Sequence, residues 1–162
     1  MNLGTYIIKG KECTVDYNYV KEVILRNRYD YRKVSSEFNV KPPKDFEKGY
    51  SFFCVKVNKY KVEKLSTSKL RGLLDMVNNL YSKVYYNDDK DISKIIDDIE
   101  YLDVKYAYEA GRDATVKKFL DESLLRQLLP NVIKKNSKKY FIDYCKYFEA
   151  YVAYMKFEGM GD

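Results

Sequence analysis

From Leu65 to Gly159 apolar residues recur almost without break at helical spacing, and this pattern constrains the fold more than any other feature. Leu70, Leu73, Leu74, Val77, Leu80, Tyr81 and Val84 fall on one face at the i, i+3, i+4, i+7 rhythm of an amphipathic helix. Ser66 precedes that run as an N-cap, and Leu65 and Leu70 flank it at the spacing of a hydrophobic staple. After a break over Asn87 to Asp91 the rhythm resumes with Ile92, Ile95, Ile96, Ile99, Leu102 and Tyr106, and Asp88, Asp89 and Asp91 complement the positive end of that helix. Gly111 reads as its C-cap and Asp113 as the N-cap of a helix burying Val116, Phe119 and Leu120. A further helix is expected over Ser123 to Lys135, broken near Pro130. The last and longest starts at Ser137, runs to about Phe157 and closes at Gly159, with Phe141, Tyr144, Cys145, Phe148, Val152 and Met155 inward. The fold class is therefore all-α: a compact antiparallel bundle of about five helices over residues 65–159.

Residues 1–64 form a variable N-terminal extension, with room for a short β element. Tyr6 to Lys9 and Cys13 to Val15 around Gly10 suit a hairpin, and Asp16 suits the N-cap of a helix over Tyr17 to Arg28 with Val20, Val23 and Ile24 inward. Val34 to Gly49, with Pro42, Pro43 and Gly49, reads as loop, and the alternation over Phe53 to Asn58 reads as a strand.

Composition bears on chemistry. The 162 residues include 30 Lys and Arg against 24 Asp and Glu, a net charge of +6, together with 18 Tyr and 8 Phe. Histidine is absent, which removes the usual general base and the commonest zinc ligand. Cys13, Cys54 and Cys145 are odd in number and far apart, so the sequence indicates inert thiols in a reducing compartment, not a disulfide framework. No Walker loop, Rossmann fingerprint or nucleophile elbow occurs. Asp88, Asp91, Asp97 and Asp98 lack a loop to converge them on a metal, so no cofactor is expected and a metal-dependent nuclease is disfavoured. Without a signal peptide or apolar span, cytoplasm is the expected location.

Tyr101, Lys105, Tyr108 and Arg112 recur at i, i+4, i+7 and i+11, which places two aromatics and two cations on one side of a helix. That chemistry suits a polyanion carrying flat bases. Other cations cluster near helix ends: Lys69 and Arg71 in one first turn, Lys117 and Lys118 in another. Each of these, taken singly, is more often a solvated surface charge than a ligand, and Arg112 also suits helix C-capping. Lys134, Lys135, Lys138 and Lys139 read as surface. The stripe Tyr140, Tyr144, Tyr147, Tyr151 and Tyr154 reads as core or subunit contact in preference to a base-stacking platform.

Three blocks taken together resemble the Csm small-subunit family of type III-A CRISPR effector complexes. They are Leu65-Ser-Thr-Ser-Lys-Leu-Arg-Gly-Leu-Leu continuing to Val77-Asn78, Tyr101-Leu-Asp-Val-Lys-Tyr-Ala-Tyr-Glu-Ala-Gly-Arg112, and Tyr144-Cys-Lys-Tyr-Phe-Glu-Ala-Tyr-Val-Ala-Tyr-Met-Lys-Phe157. Members of the family enter the first block from a short helical lead, whereas residues 1–64 here are longer and partly strand-like. The resemblance implies a non-catalytic helical subunit of a ribonucleoprotein, several copies of which pack along guide RNA and target RNA beside the other subunits. It also implies RNA-backbone contacts, without sequence reading, from Lys69, Arg71, Lys105, Arg112, Lys117 and Lys118, with Lys156 a weaker candidate. The competing expectation is a protein-interaction adaptor that uses the Tyr140 to Tyr154 stripe and binds no RNA.

Overall fold

The structure, a computed structural model, describes residues 1–42 and 49–161. It is mostly helical. Strands β1 (Thr5–Ile8) and β2 (Lys11–Thr14) form a hairpin, followed by helix α1 (Tyr17–Arg26), strand β3 (Arg28–Tyr29), helix α2 (Tyr31–Phe38) and strand β4 (Ser51–Phe52). A second hairpin, β5 (Val55–Asn58) and β6 (Lys61–Glu63), leads into helix α3 (Thr67–Tyr85). A 3-10 turn at Ser93–Ile95 precedes α4 (Ile96–Arg112), α5 (Ala114–Ser123), α6 (Leu129–Lys135) and α7 (Lys138–Phe157).

The three strand pairs, β1 with β2, β3 with β4 and β5 with β6, are all antiparallel and two-stranded. In the first turn Lys9 and Gly10 both have positive φ, 52° and 76°, as a tight primed hairpin turn requires.

The helices start where local chemistry directs. Asp16, Ser66, Asp113 and Ser137 each accept a backbone N–H of the first turn that follows. Leu65 and Leu70 are both buried at the head of α3, as the staple requires. One apolar core then joins α3, α4, α5 and α7 to the N-terminal residues Leu3, Val15, Val20, Val23, Ile24, Phe52 and Phe53.

Several local readings change. Tyr31–Phe38 is a helix where the sequence reads as loop from Val34, because Asp30 caps it through Lys33 N and Asn39 closes it in the left-handed region. Residues 39–42 and 49 carry no helix or strand, as the loop reading expects, and its part over residues 43–48 lies outside the described residues. The strand begins at Val55 and not at Phe53, whose φ of 53° lets its buried ring meet Phe119 edge-on at 5.2 Å. Gly111 is inside α4 and caps nothing; the helix ends at Arg112 with Asp113 as its C-cap. Ser123 ends α5, and Pro130 lies in the first turn of α6, where its missing N–H costs nothing.

The tyrosine stripe of α7 is core. Tyr140, Tyr144, Tyr147 and Tyr151 are buried, and their hydroxyls find partners inside the chain: Tyr144 donates to Leu125 O at 2.7 Å, Tyr147 to Ser123 O at 2.7 Å and Tyr140 to Leu3 O at 2.6 Å. A buried ring with a satisfied hydroxyl is a packing element, so these four offer no surface to a partner. Only Tyr154 of the stripe is partly exposed, under Lys21.

Candidate nucleic-acid interface

The exposed face of α4 carries the candidate site. At 100° per residue, Tyr101, Lys105, Tyr108 and Arg112 fall within an arc of roughly 60°, opposite the buried Ile99, Leu102 and Tyr106. Tyr101 and Tyr108 are 59% and 63% exposed. Each carries a cation one turn ahead: Lys105 Nζ is 5.0 Å from the Tyr101 ring centre, and the Arg112 guanidinium is 5.5 Å from that of Tyr108. Rings held open beside cations give one helix face two chemistries, a π surface and positive charge.

The C-terminal end of α4 meets the first turns of α3 and α5 at a small cleft. It has a volume of about 190 Å³ and is lined by Lys69, Gly72, Leu73, Met76, Glu109 and Val116. Lys69 crosses from α3 to the carboxylate of Asp113. That carboxylate is already committed locally: Thr115 N, Thr115 Oγ1 and Val116 N donate to it at 2.9, 2.6 and 3.4 Å. Arg112 pairs with Glu109 at 3.6 Å on the opposite rim.

The six predicted cations are therefore not equivalent. Lys69 lines the cleft and Arg112 reaches the cleft acid Glu109 from the α4 face, each facing a carboxylate while staying 51% and 61% exposed. The exposed Arg112–Glu109 pair is worth about 0–1 kcal/mol, and a phosphate can replace that carboxylate at little cost, whereas the Asp113 carboxylate is only 8% exposed and stays at its cap. Lys105 follows on the α4 stripe and, among the described residues, pairs with no carboxylate. Lys117 is exposed on α5 but tied to Asp121 at 2.6 Å. Arg71 is exposed and pairs with no acid among the described residues. Two positions beyond Lys69, it is turned about 200° around α3 and leaves the cleft.

Lys118 does not join them. It is half-buried, and its ammonium donates to Cys54 O at 2.7 Å and Tyr29 Oη at 3.3 Å. Desolvation pulls it below the usual lysine range. Sequence places Lys117 and Lys118 side by side, but successive helical positions point about 100° apart. Sequence reading also gave no role to Glu109 and Asp113 as the acids of the cleft, since acids are plentiful and their convergence is a tertiary event.

Elsewhere, Lys138 donates to Tyr85 O and Asn87 O, and Lys139 pairs with Asp143 at 3.0 Å, so these cations serve the chain itself. Among the described residues no three carboxylate or thiol side chains come together to hold a metal. Asp98 and Asp89 instead pair with Lys83 and Lys94, at 3.5 and 3.0 Å. No helix among the described residues is long and apolar enough to cross a membrane.

The model of the Csm2 type III-A family matches residues 55–160, which hold α3 to α7 and the whole cleft. The chain belongs to the Csm2 family of type III-A systems. It is 54% identical over 99 residues to the CRISPR system Cms protein Csm2 of Enterococcus italicus, covering 60% of this chain and 71% of that protein. The Csm2 of Streptococcus thermophilus is 33% identical over 98 residues, covering 60% of this chain and 76% of its own length. The Csm2 of Mycobacterium tuberculosis is 28% identical over 94 residues, covering 57% and 74%. This member of the Csm2 family is thus a small subunit of a type III-A complex, with that complex's other subunits as partners. The matched segment begins at residue 55, so β1 to β4, α1 and α2 precede it.

Proposed function

We propose that this Csm2 family member is a non-catalytic subunit that holds the guide and target RNA of the effector by their backbones, without reading sequence. The exposed alternation of Tyr101, Lys105, Tyr108 and Arg112 on α4 carries the proposal. Cations supply phosphate contacts, and open rings supply sequence-tolerant stacking. Lys69 and Lys117 extend the positive edge across the cleft into α3 and α5, and Arg71 makes a separate contact on the outer side of α3. Lys118 supports the face from beneath by tying α5 to Cys54, just ahead of β5, and to Tyr29. Several copies line up along the RNA beside the other subunits.

Titration of labelled single-stranded RNA onto the full chain tests this. Lys105→Glu with Arg112→Glu should lower the dependence of log affinity on log salt by roughly 0.7 for each lost contact. Two RNAs of unrelated sequence should bind alike, and the number of chains bound per RNA should rise stepwise with RNA length. An unchanged affinity and salt slope in the double variant would overturn the assignment.

A further inference from the structure

Away from the α4 face, a concavity that among the described residues is lined by lysines without acids lies beside the β5–β6 hairpin. The β5–β6 turn is fixed by Asn58, whose Oδ1 accepts Tyr60 N at 2.9 Å. This holds the Tyr60 ring 80% exposed, with Lys59 Nζ 5.7 Å from its centre. Opposite stands the end of α2, where Asn39 turns the chain in the left-handed region toward Val40 and Lys41. Lys56 ties the two sides together by donating to Phe38 O at 2.8 Å.

Asn39, Val40, Lys41, Lys56, Lys59 and Tyr60 thus line an open groove of about 570 Å³. Its lining among the described residues holds three lysines and no carboxylate. The hairpin's own acid, Glu63, is engaged by Lys61 at 3.3 Å. The cleft at Lys69, by contrast, includes Glu109, and the concavity at Lys138 includes Asp88, Asp89 and Asp143.

We propose that this groove is a second contact for single-stranded RNA, with Lys41, Lys56 and Lys59 taking phosphates and the Tyr60 ring stacking on a base. The choice of RNA as ligand rests on the reading of the α4 face given above. Two features favour it. A tyrosine ring held open beside lysines gains most from a flat, charged partner such as a nucleotide. The groove also adjoins the same end of the bundle: β5 starts next to Cys54, whose carbonyl Lys118 holds, and β6 runs directly into the first turn of α3, which bears Lys69. At about 3.3 Å per residue the turn lies roughly 17 Å beyond that anchor, so a strand leaving the α4–α5 edge reaches it within a few nucleotides.

The test uses the full chain, with short and long oligouridylates as probes and polyglutamate as a charge control. Lys59→Glu with Tyr60→Ala should weaken long-oligomer binding by about tenfold, the usual worth of one stacked base, and lower the salt slope by roughly 0.7 or more. Short-oligomer binding should not change. Lys41→Glu, which breaks no hairpin hydrogen bond, should lower the slope in the same way, and Tyr60→Phe should bind as the unmodified chain does. If the hairpin variants bind long RNA normally while Lys105→Glu with Arg112→Glu weakens it, this second contact is overturned and the α4 reading survives. If only the hairpin variants weaken binding, the groove stands and the α4 reading falls. Equal weakening toward polyglutamate would also overturn it, since the groove would then select charge alone.

Discussion

The Arg112 guanidinium lies 5.5 Å from the centre of the Tyr108 ring, one turn back along the exposed face of α4. The pair separates two contributions that a basic surface usually mixes. Charge acts through counterion release and appears in the salt slope, whereas stacking appears in affinity at any salt. Arg112→Ala should lower the salt slope by roughly 0.7. Tyr108→Ala should lower affinity by about tenfold and leave the slope nearly intact. Measured over a series of salt concentrations, identical behaviour of the two variants would refute this division of labour.

The Lys69 side chain faces a carboxylate that already has a structural task. Asp113 caps α5 and is largely buried, so its charge is held at the cleft whether or not RNA is present. Asn caps helices about as well as Asp. Asp113→Asn should therefore cost less than about 1 kcal/mol of stability and raise RNA affinity by releasing Lys69. Asp113→Ala should also lose the cap, a cost of about 1 kcal/mol within a range of 0.5–2. Denaturant unfolding and RNA titration on both variants check this; a fall in affinity for Asp113→Asn would contradict it.

Lys117 and Lys118 are adjacent in sequence but differ in consequence. Lys118 satisfies the carbonyl of the buried Cys54, and its loss strands that acceptor. Lys118→Ala should destabilise the chain by about 1–3 kcal/mol. Lys117→Ala, losing only an exposed pair with Asp121, should stay within about 0.5 kcal/mol of the unmodified chain. The RNA salt slope should respond in the reverse order. Thermal melting and titration of the two single variants distinguish these outcomes.

These contrasts show what sequence could reach. Residues Leu70 to Val84 and Phe141 to Met155 each bury a regular stripe, so α3 and α7 were readable from periodicity, and their caps from Ser66 and Ser137. Helix α2 was not, because it buries only Val34 in its eight residues and is held by Asp30 and Asn39 at its ends. The Tyr101 to Arg112 alternation was visible because a single helix sets its geometry. The fate of Lys118 was not, since its partners Tyr29 and Cys54 come from distant positions.

The buried hydroxyls predict how the chain unfolds in alkali. Burial raises the phenols of Tyr106, Tyr144, Tyr147 and Tyr151 above their ordinary 10.0, and pushes the Cys54 thiol from 9.0 up to about 12. Groups with raised native pKa values keep their protons longer in the folded state. Their contribution is fully present below the ordinary value and is lost as pH climbs toward the native one. Stability should hold to about pH 9 and decline above it. Phenolate absorbance from the buried four should rise only together with loss of helical circular dichroism. A single smooth titration of all tyrosines before unfolding would contradict the buried network.

Two glycines inside helices provide a last test of where the partner lies. Gly111 belongs to α4 and Gly72 to α3, and a Cβ at either would meet no protein atom within 4 Å. Glycine in a helix interior costs about 1 kcal/mol relative to alanine. Gly111→Ala and Gly72→Ala should therefore each raise the melting temperature by roughly 2–4 °C. Their effects on binding should differ, because Gly72 lines the cleft with Lys69 and Glu109 while Gly111 does not. Only Gly72→Ala adds bulk where a strand would pass Lys69, so only it should weaken RNA binding. Equal stabilisation with no difference in RNA affinity would place the strand away from the cleft and leave the Tyr101 to Arg112 face as its sole track on the bundle.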